Sequence, residues 1–234
     1  VNASTSLLEP GSSIKPILDY APLFKQREGA NYGAGSILKD ENIDNFYCAG
    51  FTGNCKLRNY TGAFYGNISI RRALANSLNI PAVKALYING IEDSIKTAHA
   101  LGDMSYCTDT SGGLSIAIGS GCTVKPIEHA NAYASLARGG VYKPLSYILE
   151  VKNGSGDVLE KWEDTSGNRV LDSQAAYMVS DILSDTSARS MVFGSLGASF
   201  GFVVPGVWTA TLLDNGFRWL FLQILYQRKM RERT

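Results

Sequence analysis

Asn67-Ile68-Ser69-Ile70-Arg71-Arg72-Ala73-Leu74-Ala75-Asn76-Ser77-Leu78-Asn79-Ile80-Pro81-Ala82-Val83 is the stretch that decides the fold. Ser69 is a residue type that caps helix N-termini, and Ile70-Arg71-Arg72-Ala73-Leu74-Ala75 follows it as a helical run. Pro81 opens a second helix through Ala82-Val83-Lys84-Ala85-Leu86, where its missing N–H costs nothing. Ser77-Leu78-Asn79 falls in the turn between them. Alone, that turn is a polar connection between two helices.

Working outward toward the N-terminus, Glu9-Pro10-Gly11-Ser12-Ser13-Ile14-Lys15-Pro16 has the next strongest pattern. Ser13 to Phe24 carries apolar Ile14, Ile17, Leu18, Ala21 and Leu23 at helical spacing, with Pro16 and Pro22 near its ends. Ser12 and Lys15 are then i and i+3 neighbours on one helical face. A serine hydroxyl becomes a nucleophile when a base takes its proton, and a desolvated lysine is such a base. Taken alone, the pair is an ordinary helix N-terminus, with a favoured capping residue and an exposed lysine.

Residues 27 to 66 are rich in Gly, Asn, Tyr and Asp and read as a long ordered loop with a short strand at Ser36-Ile37-Leu38. Toward the C-terminus, Ile91 to Leu101 reads as a helix ended by Gly102, and Pro126 to Arg138 as one stopped by Gly139-Gly140. Ser146 to Val151 and Val158 to Trp162 flank Asn153-Gly154-Ser155-Gly156 as a hairpin. Ser173 to Leu183 reads as a helix and Gly206 to Thr211 as a strand. Locally paired strands among a cluster of helices predict an α+β fold.

The chain has 234 residues, 22 Lys plus Arg against 21 Asp plus Glu, and no basic field for nucleic acid. Cys48, Cys55, Cys107 and Cys122 form no C-x-x-C pair, so a zinc site has little support. Their spacings suit two local bridges, Cys48 to Cys55 and Cys107 to Cys122. Four unpaired buried thiols are the alternative, and bridges would place folding outside the cytoplasm. His99 and His129 fall on expected helices and read as structural, and Tyr65, Tyr133 and Trp162 as core or rim aromatics. The chain opens without a signal-like segment and without Met, which suggests a piece of a longer polypeptide. Phe217 to Tyr226 is too short and too polar to span a bilayer, which takes about 20 apolar residues.

The motifs together resemble the transpeptidase domain of penicillin-binding proteins, particularly the bifunctional class A kind. Pro10 to Pro16 matches the nucleophile motif with its flanks, and Asn67 to Val83 the helix-turn-helix with the second motif, Ser-x-Asn. Gly113-Leu114-Ser115-Ile116-Ala117-Ile118-Gly119-Ser120-Gly121, with Asn131 to Gly140, matches a third signature region. The resemblance covers roughly residues 9 to 211 and implies an antiparallel sheet with flanking helices. It implies Ser12 as nucleophile toward the D-alanyl-D-alanine bond of a peptidoglycan stem peptide, Lys15 as base, Ser77 as proton relay and Asn79 as the orienting amide. It further implies β-lactam binding, no cofactor and an extracytoplasmic site. A glycosyltransferase domain would precede this chain, with the membrane reached only through a segment outside it.

One departure stands against the family pattern. A Lys-Thr-Gly or Lys-Ser-Gly should follow the strand at Pro205 to Thr211, and neither occurs among the 234 residues. Instead come Leu212-Leu213-Asp214-Asn215-Gly216, an apolar run and a basic tail. The expected organisation is a partial transpeptidase domain over 1–211 and an atypical segment over 212–234, the sheet incomplete there, from a deletion or frameshift or in an inactive homologue. The alternatives are a related serine β-lactamase or D,D-carboxypeptidase, and a non-catalytic peptidoglycan-binding or sensor domain.

Overall fold

Pro16 and Pro22 shape the first helical segment, because each removes an N–H from the i→i−4 ladder. In this computed structural model, which describes residues 2–164 and 166–199, the segment is therefore not one regular α-helix. Gly11–Ile14 is a 3-10 turn, Pro16–Tyr20 a π-helical segment in which Pro16 O accepts from Ala21 N, and Ala21–Leu23 an α-helical turn (α1). Every residue from Ile14 to Leu23 is buried, so this segment is the axis of the core. Full burial of side chains such as Ile17 and Leu18 contributes roughly 1.5–3 kcal/mol each.

The long loop is more structured than its composition suggests. Ile37–Asp40 (β1) is followed by the short helix Asp44–Tyr47 (α2), and β1 pairs antiparallel with Gly66–Ser69 (β2), Ile37 opposite Ser69 and Asp40 opposite Gly66. Ile68 is a buried strand residue just before the Ser69 cap. Asp40 is buried at the end of β1, where Oδ2 accepts from Asn59 Nδ2 (2.8 Å) and Tyr65 N (2.9 Å). Asp44 anchors the same loop by accepting from Leu57 N and pairing with Arg58. A disulfide joins Cys48 to Cys55, and a second joins Cys107 to Cys122, so the pairing of neighbours is the one found.

Ile70–Ala75 (α3) begins as expected, with extended Ser69 accepting from Arg72 N (3.3 Å) through its side chain. Asn79–Asn89 (α4) starts two residues before Pro81, which therefore sits in the first turn. Ile91–Leu101 (α5) ends at Gly102, whose φ of 129° suits glycine. A 3-10 segment, Gly113–Ile118, which the apolar pattern did not reveal, leads toward Pro126–Ala137 (α6).

Val141–Tyr142 (β3), Glu150–Lys152 (β4), Val158–Lys161 (β5) and Asn168–Arg169 (β6) make two small antiparallel pairs, β3 with β6 and β4 with β5. The hairpin is thus present, though shorter than its apolar pattern. Ser173–Ser184 (α7) is followed by Thr186–Ser199 (α8). Asn76, at the end of α3, donates to Ala188 O (2.7 Å) and accepts from Val192 N (2.9 Å), which seats the Ser77 turn on α8. The described residues make an α+β arrangement with three two-stranded antiparallel ladders. The expected strand at 206–211 and the segment 212–234 lie outside the described residues. Among the described residues no helix is long and apolar enough to cross a membrane.

Candidate active site

Ser12 sits in the 3-10 turn at the head of the buried segment, half-buried, and its Oγ makes no hydrogen bond among the described residues. The turn is tight because Gly11 takes φ +54°, and because another glycine presses against it. A Cβ on Gly119 would lie 2.1 Å from Gly11 O, so only glycine permits this approach. The third signature region thus packs its backbone on the turn that carries Ser12. From the other side, α6 holds Ser13: Tyr133 O–H donates to Ser13 O (2.7 Å), and His129 Nε2 lies 3.0 Å from Ser13 Oγ.

Lys15 is 1% exposed, and its Nζ reaches across to the turn after α3. It donates to Ser77 O (2.6 Å), Ser77 Oγ (3.2 Å) and Asn79 Oδ1 (2.7 Å). Three acceptors match the three hydrogens of an ammonium; the neutral amine would keep two hydrogens for Ser77 O and Asn79 Oδ1 and turn its lone pair to the Ser77 hydroxyl. Burial nevertheless lowers the Lys15 pKa from 10.5 to about 7, against a smaller raising effect of the nearby Asp19 charge. Asp19 is itself fully buried with both carboxyl oxygens lacking a hydrogen bond among the described residues. Burial raises its pKa well above the carboxylate range, Lys15 opposing, so it supplies little countercharge.

Ser77 has φ +55°, uncommon for a residue with a side chain. That conformation costs on the order of 1–2 kcal/mol and aims both its carbonyl and its hydroxyl at Lys15. The turn is held by Ser77 N donating to Leu74 O (2.9 Å) and Leu78 N to Ala73 O (3.0 Å).

Asn79 is fixed by partners that the motif does not contain. Its backbone N–H donates to Asn59 Oδ1 (2.8 Å) and its Nδ2 to Arg58 O (2.7 Å), which leaves Oδ1 for Lys15. The long loop therefore serves the site, because Asp40, Asp44, Arg58 and Asn59 orient the amide that meets the lysine. Composition showed only that the loop was ordered, and the acceptor at Arg58 is a backbone carbonyl that any residue would supply.

All four residues expected from the sequence thus bear on one locus, with Lys15, Ser77 and Asn79 joined directly and Ser12 on the turn preceding Lys15. His99 and His129 are both in hydrogen bonds, His99 Nε2 lying 2.6 Å from Tyr106 O. Trp162 is on the surface hairpin and part exposed, Tyr133 packs against His129 beside the site, and Tyr65 borders the second small core cluster.

Comparison with known proteins gives the family. The family described as "Penicillin binding protein transpeptidase domain" matches residues 1–194. The chain is 32% identical over 181 residues to penicillin-binding protein 1A of Streptococcus pneumoniae, covering 74% of this chain and 23% of that protein. It is 28% identical over 214 residues to penicillin-binding protein 1A/1B of Bacillus subtilis, covering 91% of this chain and 22% of that protein. The chain therefore spans under a quarter of these relatives. Among solved structures, penicillin-binding protein 1A from Haemophilus influenzae superposes with a TM-score of 0.66 at 22% identity, over 78% of this chain and 30% of that one. PonA1 from Mycobacterium tuberculosis gives 0.65 at 24% identity, over 79% and 49%.

Proposed function

The chain belongs to the penicillin-binding protein transpeptidase family, and on that premise we propose that Ser12 is the acyl-accepting nucleophile of a D,D-transpeptidase site. Ser12 Oγ forms a bond to the carbonyl carbon between the two terminal D-alanines of a stem peptide while Lys15 Nζ takes its proton. The tetrahedral intermediate collapses by breaking the C–N bond. The leaving D-alanine amine takes a proton through Ser77, and the acyl group stays on Ser12. An amine of a second stem peptide then displaces Ser12, which regains its hydrogen.

The observation that carries this proposal is the buried Lys15, with a pKa near 7 and hydrogen bonds to Ser77 and Asn79. A base with its pKa near the working pH is the useful kind, and such help is worth roughly 10²–10⁴-fold. Asn79 orients the amine, and the Ser12 backbone N–H is one oxyanion donor. The two disulfides favour an extracytoplasmic site, and β-lactams would acylate the same serine. A glycosyltransferase domain and a membrane anchor would lie outside this chain.

The missing Lys-Thr-Gly sets the rate. In the family that lysine helps hold the substrate carboxylate, and its strand supplies the second oxyanion N–H. Losing one oxyanion donor costs about 2.7–4 kcal/mol, or 10²–10³-fold. We propose that this chain acylates slowly or not at all, and that residues 212–234 do not continue the domain.

A time course with fluorescent penicillin tests the proposal: slow, stable labelling is expected, with none in Ser12→Ala. Continued hydrolysis of the β-lactam would mean a β-lactamase instead. The tripeptide's absence also favours a second reading, a domain that binds peptidoglycan without chemistry, for which saturable binding with no covalent adduct is the signature.

A further inference from the structure

Ser13, the neighbour of the proposed nucleophile, is tied to His129 and Asp103, which lie outside the family stretches quoted above. Its Oγ lies 2.5 Å from Pro10 O and 3.0 Å from His129 Nε2. His129 Nδ1 lies 2.5 Å from Asp103 Oδ2, and Asp103, just after α5, is fully buried. The ring of Tyr133 meets His129 edge-on at 5.4 Å, and its hydroxyl holds Ser13 O.

The composition is that of a nucleophilic triad, but the donors run the other way. A serine hydroxyl has one hydrogen, and Pro10 O can only accept. The Ser13 hydrogen therefore goes to Pro10 O, and Ser13 Oγ accepts from a hydrogen on His129 Nε2. Asp103 Oδ2 and His129 Nδ1 share one hydrogen. With its hydrogen engaged by a carbonyl, Ser13 is held rather than activated, unlike a triad serine whose proton passes to the imidazole.

The turn has need of such an anchor. It is a 3-10 turn, with poorer hydrogen-bond geometry than an α-helix, it follows Gly11 in a left-handed conformation, and its Ser13 N to Pro10 O bond is 3.2 Å long. Oxyanion stabilisation depends on the placement of the Ser12 N–H within a few tenths of an ångström. We infer that Asp103 and His129 are positioning residues, a relay that locks the backbone presenting Ser12. This rests on the assignment of Ser12 as nucleophile, yet the lock is measurable with no acylation at all.

The experiment is amide hydrogen exchange on the whole oxidised chain, joined to imidazole NMR, which is simple because the chain has two histidines. A hydrogen on His129 Nε2 is expected, with a signal that moves in Ser13→Ala. His129→Leu should speed exchange of the hydrogen-bonded Ser13 and Lys15 amides at least tenfold and leave those of α4 unchanged. His129→Gln, whose side-chain N–H can still reach Ser13 Oγ, should recover most of the protection. If His129→Leu does not fold, Ser13→Ala removes the same bond and should give the same acceleration. Turn amides within twofold of the parent in the folded variants, or no recovery by His129→Gln, would overturn the inference. A lack of penicillin adduct on Ser12, with exchange as expected, would instead overturn only the assignment of the nucleophile.

Discussion

Replacing Lys15 by Met should change how stability depends on pH, by an amount set by the lysine's burial. In the folded chain its pKa is lowered from 10.5 to about 7. Between those values the unfolded chain holds a proton that the folded chain has given up, so stability rises with pH there. The burial penalty is complete below about pH 7 and is relieved as pH climbs toward 10.5. At roughly 1.4 kcal/mol per pH unit, the Lys15 contribution grows by roughly 3 kcal/mol from pH 6 to pH 9. Asp19, whose pKa burial raises, works in the opposite direction, because there the folded chain keeps the proton. Lys15 opposes that rise, so in Lys15→Met the folded chain keeps the Asp19 proton to higher pH, which widens the difference in the same direction. Tyr20 and Tyr133, raised by burial, oppose only near pH 10, so the range stops at 9. Losing the ammonium also leaves Ser77 O and Asn79 Oδ1 short of a donor, a cost of about 1–3 kcal/mol that does not vary with pH. Urea titrations of the disulfide-intact parent and Lys15→Met at intervals from pH 6 to 9 give the difference directly. A difference that does not vary across this range would mean a lysine charged throughout, and the proposed base would fail.

Further variants probe the same geometry. Asn79→Asp places a carboxylate where the amide oxygen is 2.7 Å from Nζ, which favours the ammonium, so the rise of penicillin labelling with pH should move up by about 1–3 units. Gly119→Ala should lower the urea midpoint by about 1–3 kcal/mol of stability, because its Cβ would meet Gly11 O at 2.1 Å. Gly121→Ala, with a similar φ of +83° but no atom closer than 3.7 Å, should cost less in the same titration. The double variant Cys107→Ser/Cys122→Ser opens a loop of separation 15 and should cost about 3 kcal/mol, readable as a fall in thermal midpoint.

The residues that speak to one another through short spacing were legible in the sequence. Ser12 and Lys15 share a face by their separation, and Ser69, Ser77 and Pro81 mark a cap, a turn and a helix start by their chemistry. Their meeting in space needed the fold. The supports of the site were not legible, because they join positions far apart or use backbone atoms. Arg58 O and Asn59 Oδ1 hold Asn79 from 21 and 20 residues away, and His129 reaches Ser13 across 116. Gly119 is needed for what approaches it, which no local pattern encodes. The first segment's apolar spacing fits an α-helix, and only its two prolines hinted at the 3-10 and π geometry. Strand β2 was hidden because Gly66–Ser69 is four residues long with one apolar side chain, Ile68, and pairing with β1 decides it instead.

The central claim is that Ser12 is the acyl-accepting group of this site. Prolonged treatment with excess benzylpenicillin, digestion and peptide mapping by mass spectrometry test it most directly. One adduct per chain on Ser12, absent from Ser12→Ala and from Lys15→Met, is the predicted result. An adduct retained in Ser12→Ala, or none on the parent chain at completion, would contradict it.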